Sequence, residues 1–577
     1  MGQKIKTVYR ERKVDARWKA QLLEDGMSGV MARILAARGV SSKAQMDDSV
    51  AGLLMPKSMK GCAEAGQLLA DAVQAGEKVV IVADYDCDGA TACSVMIRGL
   101  RMLGAKRGNV QYVVPDRAIH GYGLTPPIVD LAMEHAPTLL VTVDNGIASF
   151  EGVDYAKSKG LKVLVTDHHL TAVVDGQVRL PAADVIVNPS QPNCEFGSKN
   201  LCGAGVAFYV ILSARATLRE RGWFLGKTEP QASELLDLVA LATIADVVKL
   251  DENNRRLVAL GLKRIRAGKA AAGLRALLTV SGVEPAKVNS TDLGFRLGPR
   301  VNAAGRLADM RVGIECLTAD DTERATELAK QLHEINTQRK AVESDMTEAA
   351  QAVLEALSDS DVDSSIVVYD ESFHEGVIGI VAGRIKEEWH RPTFVFAKSH
   401  AGTAKGSGRS IPGVHLRDVL DVVSKKHPGL LMKFGGHAMA AGATVSSERV
   451  EEFAQAFEVV CADLLSQEVR QRVISHDGSL GKGEYTIATA DELGAGVWGQ
   501  GFEPPLFVDK AEVLSQRIVG ERHLKLSLRM NGENRDAIWF NRTEPVKDGA
   551  VLAYTIGANE WNGRRSVQMP VQGEYLL

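Results

Sequence analysis

The sequence predicts an α/β protein in which a domain built on a parallel sheet is joined by a long helix to a second α/β domain, followed by a small β-barrel. Three observations predict this architecture. From about residue 78, short apolar runs alternate with helical segments, as in parallel sheets covered on both faces. A stretch at 318–357 contains no Gly or Pro, and after about residue 470 alternating segments are separated by Asn-Gly pairs.

The length of the chain, 577 residues, is too great for one hydrophobic core, so several domains are expected. The apolar runs KVVIVA, TLLVTV and LKVLVT predict the strands of the first sheet, and SIVVYD opens the second. The Asn-Gly pairs at 531–532 and 562–563 predict hairpins of a barrel similar to an OB fold. We expect a basic and helical N-terminal segment, a first α/β domain, a connecting helix, a second α/β domain and the barrel, at 1–50, 51–317, 318–360, 361–468 and 469–577.

Composition and charge favour a soluble, cytoplasmic protein. No apolar stretch approaches the ~18 residues of a membrane span, the N-terminus is charged, and the seven cysteines form no CxxC pair. The net charge is −4, yet residues 1–20 carry seven Lys and Arg against two acids, and residues 384–440 carry ten against four. Such basic stretches become informative beside a site that handles phosphate.

Acidic and histidine side chains follow the predicted strands of the first domain. Asp84, Asp86 and Asp88 come after KVVIVA, Asp144 follows TLLVTV, and Asp167-His168-His169 follows LKVLVT. The carboxyl ends of parallel strands share one edge of a sheet, where ligands bind. Asp246 stands in an apolar helical segment, where an unpaired carboxylate is costly. Carboxylates and imidazole bind hard divalent cations, and a pair of such ions activates water and stabilises charge on phosphorus.

These motifs, in this order, resemble those of the DHH phosphoesterase superfamily. Four further segments resemble the bacterial RecJ exonuclease family and its DHHA1 domain, and the resemblance covers nearly the whole chain. They are GFRLGPRVNAAGRL, HEGVIGIVAGR, GSGR and GGHAMAAG, at 294–307, 374–384, 406–409 and 435–442.

The resemblance implies two bound Mn²⁺ or Mg²⁺ ions. Asp144 would bridge them, His169 would contact the scissile phosphate, and Asp167 would orient the histidines. The implied ligands are Asp84, Asp86, Asp88, Asp144, His168 and Asp246.

Arginines among glycines form the second group of candidates, since guanidinium groups suit bidentate contacts with phosphate. The resemblance implies that Arg117, Ser407 and Arg409 receive a terminal phosphate. The full set of expected substrate-binding residues is Arg117, Arg296, Arg300, Asn302, Arg306, Ser407, Arg409 and His437.

The function that this resemblance implies is 5′-to-3′ exonucleolytic hydrolysis of single-stranded DNA to mononucleotides, in recombination and repair. We expect a monomer, with a single-strand-binding protein and a RecQ-type helicase as partners. Two alternatives stay open: a small-molecule phosphoesterase acting on pyrophosphate, short oligonucleotides or cyclic dinucleotides, and a non-catalytic DNA-binding scaffold. ATP is not expected as a cofactor, because GWFLGKT has three residues between its glycines where a P-loop has four.

Overall fold

The computed structural model describes residues 7–116, 119–174, 176–356, 364–400, 402–561 and 563–575. The chain forms two compact units. The larger unit comprises Val14–Asn336 with Ile487–Pro505, and the smaller comprises Met1–Lys13, Thr337–Thr486 and Leu506–Leu577. Among the helices of these described ranges, none has the length and apolar character needed to cross a membrane.

The larger unit is built on a five-stranded sheet whose strands are all parallel, which confirms the predicted parallel sheet. Two of its inner strands are buried along their whole length, as their largely apolar sequences predict. In spatial order the strands are Val110–Val113, Val79–Ala83, Leu139–Val143, Lys162–Thr166 and Val185–Val187. A small hairpin, Ala172–Val174 with Gln177–Arg179, follows the fourth of them.

Helices account for most of the remaining larger unit. The helix that follows the strand Val79–Ala83, Cys87–Leu103, is buried over most of its length and packs against Gly203–Glu220 and Leu236–Ala245. The other α-helices are Ala16–Glu24, Gly29–Ala36, Cys62–Ala75, Pro126–Met133, Phe150–Ser158, Glu252–Arg266, Ala272–Val280, Ser290–Asp292, Gly298–Leu307, Arg311–Thr318 and Ile487–Ala495.

The chain enters the smaller unit within the helix Thr322–Ala356, close to the 318–357 that the sequence predicts. A five-stranded mixed sheet follows, in the order Lys433–Gly436, Ala440–Ser446, Thr403–Arg409, Thr393–Lys398 and Ile366–Asp370. Its core contains the packed rings of Phe394, Phe396, Phe453 and Phe457. The helices of this part are Ile378–Trp389, Leu416–Lys426 and Val450–Leu464.

The C-terminal part of the smaller unit is a mixed, seven-stranded sheet with irregular registers, as expected of a small barrel. The predicted hairpin at 531–532 is confirmed, since Asn531 and Gly532 both have positive φ, 54° and 79°, and join two antiparallel strands. The other predicted turn includes residue 562, outside the described residues. The strands are Phe507–Lys510, Glu512–Val519, His523–Met530, Glu533–Trp539, Val551–Tyr554, Gly557–Trp561 and Arg564–Tyr575.

Two segments belong to a unit that their place in the chain does not suggest. The N-terminal strand Thr7–Glu11 pairs in parallel with Arg472–His476 of the smaller unit. Conversely, Ile487–Pro505 belongs to the larger unit, where Phe502 is buried and the backbone N–H of Leu250 donates to the carbonyl oxygen of Gln500 at 2.8 Å. Domain boundaries placed in simple chain order therefore do not describe these two segments.

Candidate metal centre

Asp84 and Asp86 follow the buried strand Val79–Ala83 in the chain. Asp86 is the N-cap of the helix Cys87–Leu103, where its Oδ1 accepts the Gly89 N–H at 3.0 Å. A capping carboxylate uses only part of its capacity to accept hydrogen bonds or to bind a cation.

Asp88 is buried in the first turn of that helix and is held by the start of another one. Its Oδ2 accepts the backbone N–H of Gly203 at 2.6 Å, and its Oδ1 accepts that of Ala204 at 2.9 Å. These two N–H groups open the helix Gly203–Glu220, an end that favours negative charge. The helix thereby fixes the orientation of a carboxylate that the family resemblance implies as a metal ligand.

Asp144 follows the strand Leu139–Val143 and is buried, with a left-handed φ of 63° that few residues other than glycine adopt. Its close neighbour is Gly203. A methyl group added to the Cα of Gly203 would lie 2.5 Å from the Cβ of Asp144. Only a glycine therefore leaves room for Asp144 beside the helix that holds Asp88.

His168 lies among three of these carboxylates. Its Nε2 is 3.1 Å from Oδ1 of Asp144, 3.5 Å from Oδ2 of Asp246 and 3.8 Å from Oδ2 of Asp88. Asp246 ends the helix Leu236–Ala245, and the next residue, Val247, has a φ of 59°. Positive φ is strained for a β-branched side chain, and such strain is found chiefly at functional sites.

The structure brings all six predicted ligands together. Asp84, Asp86 and Asp144 offer oxygen atoms within 4.8 Å of one another, and Asp88, His168 and Asp246 form a second group by the same measure. Asp144 also forms a group with His168 and His169. One carboxylate is thus shared between two adjacent sets of ligand atoms.

The unsatisfied atoms of these residues fit bound cations. Asp144 Oδ1, His168 Nε2 and Asp246 Oδ2 are buried without a hydrogen-bond partner in the part of the chain that the structure describes. Burial and neighbouring carboxylates hold the pKa of Asp84, Asp144 and Asp246 well above its usual range. Burial lowers the pKa of His168, which leaves the neutral imidazole that a metal requires. Divalent cations would offset this concentration of buried negative charge.

Asp167 differs from these residues, because protein donors surround its carboxylate. Its Oδ2 accepts the backbone N–H of Ile147 at 2.9 Å, and its Oδ1 accepts the backbone N–H groups of His168 and His169. The same Oδ1 lies 2.8 Å from Nδ1 of His169. Burial alone would lower the pKa of His169, but its contacts with Asp167 and nearby carboxylates raise that pKa to about 9. Asp167 thus contacts the ring of His169 and the backbone of both histidines.

Tyr122, which sequence reasoning missed, packs against His169. Its hydroxyl donates to the backbone carbonyl of Asp144 at 3.2 Å and lies 3.3 Å from Nδ1 of His169. Its ring meets those of Tyr85 and His169 edge to face. Gly203 was also missed. The glycines of LCGAGV at the start of an apolar helix were the available signal for it.

The arginine-rich segment 293–307 combines a π-helix, Leu293–Leu297, with the helix Gly298–Leu307. Arg296 is half exposed and its Nε lies 3.4 Å from Asp292. Arg300 is only 9% exposed, and its Nε donates to His333 Nδ1 at 3.2 Å. Asn302 accepts the N–H of Cys87 at 2.8 Å, so it supports the strand end that carries the aspartates.

Arg306 comes directly after Gly305, whose backbone lies close to that same strand end. A methyl group on Gly305 would lie 1.8 Å from the carbonyl oxygen of Tyr85, so the helix backbone touches the loop between Asp84 and Asp86. His437, in the smaller unit, is exposed. Arg117 lies outside the described residues.

Ser407 and Arg409 lie on the strand Thr403–Arg409 of the smaller unit, which alternates between half-buried and buried positions. The buried positions Gly406 and Gly408 face the rings of Phe396 and Phe394, which would contact any side chain there. Ser407 and Arg409 consequently project from the opposite face. Arg409 Nη1 donates to Ser407 Oγ at 3.1 Å and to the Gly408 carbonyl at 2.8 Å.

Comparison with family models matches three parts of the chain. Residues 78–243 match the DHH family N-terminal domain, residues 363–463 the DHHA1 domain, and residues 476–573 the RecJ OB domain. The order of these domains agrees with the predicted fold class.

Similar proteins cover almost the whole length. The single-stranded-DNA-specific exonuclease RecJ of Dickeya dadantii (strain 3937) is 45% identical over 95% of this chain and 96% of its own. That of Escherichia coli (strain K12) is 44% identical over 94% of each. The crystal structure of RecJ from Thermus thermophilus in complex with Mn²⁺ superimposes with a TM-score of 0.81 at 28% identity, over 99% of this chain and 79% of that one. The chain therefore belongs to the RecJ family.

Proposed function

We propose that this protein is a metal-dependent exonuclease that removes mononucleotides from the 5′ end of single-stranded DNA, in recombination and repair. The observation that carries the proposal is the cluster of five aspartates and His168, in which Asp144 Oδ1, His168 Nε2 and Asp246 Oδ2 are buried without a hydrogen-bond partner in the described residues. Relatives that are 43–45% identical bear the name single-stranded-DNA-specific exonuclease.

The proposed cofactors are two Mn²⁺ or Mg²⁺ ions, since oxygen-rich sites with one imidazole suit these metals. One ion would be held by Asp84, Asp86 and Asp144, and the other by Asp88, His168 and Asp246, with Asp144 shared. When bound, such a pair supplies an activated water and offsets the charge that develops on the phosphoryl group.

The protein's own groups orient the reactants around that centre. Asp167 holds the imidazole of His169 through a contact of 2.8 Å, so that the ring is fixed before substrate arrives. The Tyr122 hydroxyl lies 3.3 Å from the same ring nitrogen and adds a second contact to it. We propose that His169, held in this way, contacts the scissile phosphate.

Recognition of the strand end is assigned to Ser407 and Arg409, together with Arg117. A 5′-terminal phosphate carries more negative charge than an internal phosphodiester, and a guanidinium with a neighbouring hydroxyl suits it. Arg296, Arg306 and His437 are proposed to contact the rest of the strand.

Arg300 and Asn302, which were expected to bind substrate, are bonded to other residues of the protein. Arg300 is nearly buried and bonded to His333, and Asn302 is bonded to Cys87. We propose that both act by fixing the segment 293–307 on which Arg296 and Arg306 lie.

The biological setting is proposed from the family resemblance. A monomer in the cytoplasm would act on single strands that a RecQ-type helicase and a single-strand-binding protein make available. Co-purification of the full chain with each of these partners, and its mass in solution, test this part separately from the chemistry.

The experiment that tests the chemistry compares substrates under one set of conditions. The full chain is incubated with Mn²⁺ and either long single-stranded DNA, the matching duplex, a dinucleotide or pyrophosphate. We expect mononucleotides released from the 5′ end of the single strand and little product from the other three. If pyrophosphate or the dinucleotide is hydrolysed efficiently while the long strand stays intact, the protein is a small-molecule phosphoesterase. If none of the substrates is hydrolysed, it is a DNA-binding scaffold.

A further inference from the structure

Gly379 lies in the first turn of the helix Ile378–Trp389 and faces the strand that carries Ser407 and Arg409. A methyl group added to its Cα would lie 2.8 Å from Ser407 Oγ and 2.8 Å from Arg409 Nη2. Both distances are shorter than non-bonded contacts to carbon allow. The two polar groups therefore occupy the space that any other residue at position 379 would need.

The strand cannot turn these groups elsewhere. Side chains alternate across a strand, and the intervening residues Gly406 and Gly408 already lie against the rings of Phe396 and Phe394. Ser407 and Arg409 must consequently share the face that meets the helix. On the neighbouring strand Ala440–Ser446, the residues opposite them are Gly442 and Ala440, which add no large side chain to that face.

We propose that Gly379 is a positioning residue for the 5′-terminal phosphate of the DNA, because its missing side chain lets the Arg409 guanidinium and the Ser407 hydroxyl lie together against the first turn of this helix. The inference rests on the proposed function, which assigns those two groups to the strand end. Gly379 acts through them and does not itself bind the phosphate.

A substitution at this position should alter recognition without unfolding the protein. The atoms that an added methyl group would meet are the ends of side chains that can rotate away, rather than backbone atoms. Alanine is also the better helix former. Gly379→Ala should thus displace Arg409 and Ser407 from their present places while the strand and helix persist.

The same helix supplies a matched control. Gly383 lies one turn further along, and a methyl group added there would meet no atom within 4 Å. Gly379→Ala and Gly383→Ala make the same chemical change to the same helix. They differ only in whether Ser407 and Arg409 must move.

The test uses the full chain with Mn²⁺ and one oligonucleotide bearing either a 5′-phosphate or a 5′-hydroxyl. For the wild type and Gly383→Ala we expect a lower KM for the 5′-phosphorylated oligonucleotide than for the 5′-hydroxyl one, by the same factor in both proteins. For Gly379→Ala we expect that factor to fall about tenfold or more, as loss of a charge-assisted hydrogen bond implies, with a smaller change in kcat. Thermal melting should show that all three proteins are folded and that neither variant melts below the wild type.

Retention of the full preference by Gly379→Ala, or an equal loss in Gly383→Ala, would overturn the inference. Binding of the two oligonucleotides without metal, measured by fluorescence anisotropy, separates this result from the proposed activity. If the wild type binds the phosphorylated end more tightly but cleaves nothing, the proposed function fails and the effect of Gly379→Ala on binding still decides the inference. If the wild type shows no preference in either assay, the inference fails.

Discussion

Nε2 of His168 lies 3.1 Å from Oδ1 of Asp144, and both atoms are buried without a hydrogen-bond partner among the described residues. Burying two polar atoms without hydrogen-bond partners destabilises the folded state unless a third group binds both of them. A cation bound between ligands of this kind removes that cost. Loss of a ligand or of the metal should therefore affect both activity and stability.

Replacing Asp144 by Ala should lower hydrolysis of single-stranded DNA by several orders of magnitude, because both sets of ligand atoms lose a member. Mn²⁺ binding, followed by calorimetry, should weaken in parallel, while DNA binding is in part retained. Asp154→Ala, at an exposed position on the neighbouring helix Phe150–Ser158, is the control and should behave as the wild type. Near-normal Mn²⁺-dependent activity of Asp144→Ala would contradict the assignment of the shared ligand.

Removing metal should destabilise the larger unit. A ligand that binds only the folded state adds about 2.7 kcal/mol to the free energy of unfolding when its concentration is a hundred times its Kd. We expect the melting temperature to rise with added Mn²⁺ and to fall with a chelator. The Asp144→Ala protein should respond much less. A melting temperature indifferent to Mn²⁺ in the wild type would argue against a metal centre in these residues.

Gly203→Ala should impair the centre as severely as loss of a ligand, because the added methyl group would lie 2.5 Å from the Cβ of Asp144. Gly205→Ala, two residues along the same helix, is the milder control, because the nearest atom to its added methyl group would be Cδ2 of Leu201, at 3.2 Å. Mn²⁺ affinity and hydrolysis, measured for both, should separate the two variants clearly. Equal behaviour would show that helix geometry, and not the contact with Asp144, decides the effect.

Phe502 lies late in the chain but should stabilise the larger unit. Its ring is buried, stacks on Trp498 with centroids 5.4 Å apart and lies 4.3 Å from the Arg255 guanidinium. Phe502→Ala should cost about 3–5 kcal/mol in the free energy of unfolding, as for other buried rings. Phe540→Ala, at a position 46% exposed, should cost little. Denaturant titration followed by tryptophan fluorescence compares them. Similar losses would refute the packing role.

Arg409→Ala should lower activity on 5′-phosphorylated single strands far more than on 5′-hydroxyl ones. A charge-assisted hydrogen bond contributes roughly 1.5–3 kcal/mol, which corresponds to about ten- to a hundredfold. Arg417→Ala removes an exposed arginine from the same unit and should affect both substrates alike, through charge alone. If Arg409→Ala also lowered both equally, this guanidinium would not read the strand end.

The sequence alone determined three of the five strands in the sheet of the larger unit and the residues that follow them. Two of these strands are almost entirely apolar, and such runs fit only where helices cover both faces, so the strand ends and their acids follow directly. The long helix and the Asn531-Gly532 hairpin were predictable for the same reason, because helix propensity and turn chemistry are local properties of a few neighbouring residues.

The tertiary structure alone decided which distant groups hold those residues in place. Asp88 is bound by Gly203 and Ala204, more than a hundred positions away, and Arg300 turns inward to His333. The segment Ile487–Pro505 returns to the larger unit through the burial of Phe502. No local pattern encodes these contacts, because each depends on which surfaces meet once the helices have packed. Periodicity specifies the face that a side chain takes, and only packing specifies its partner.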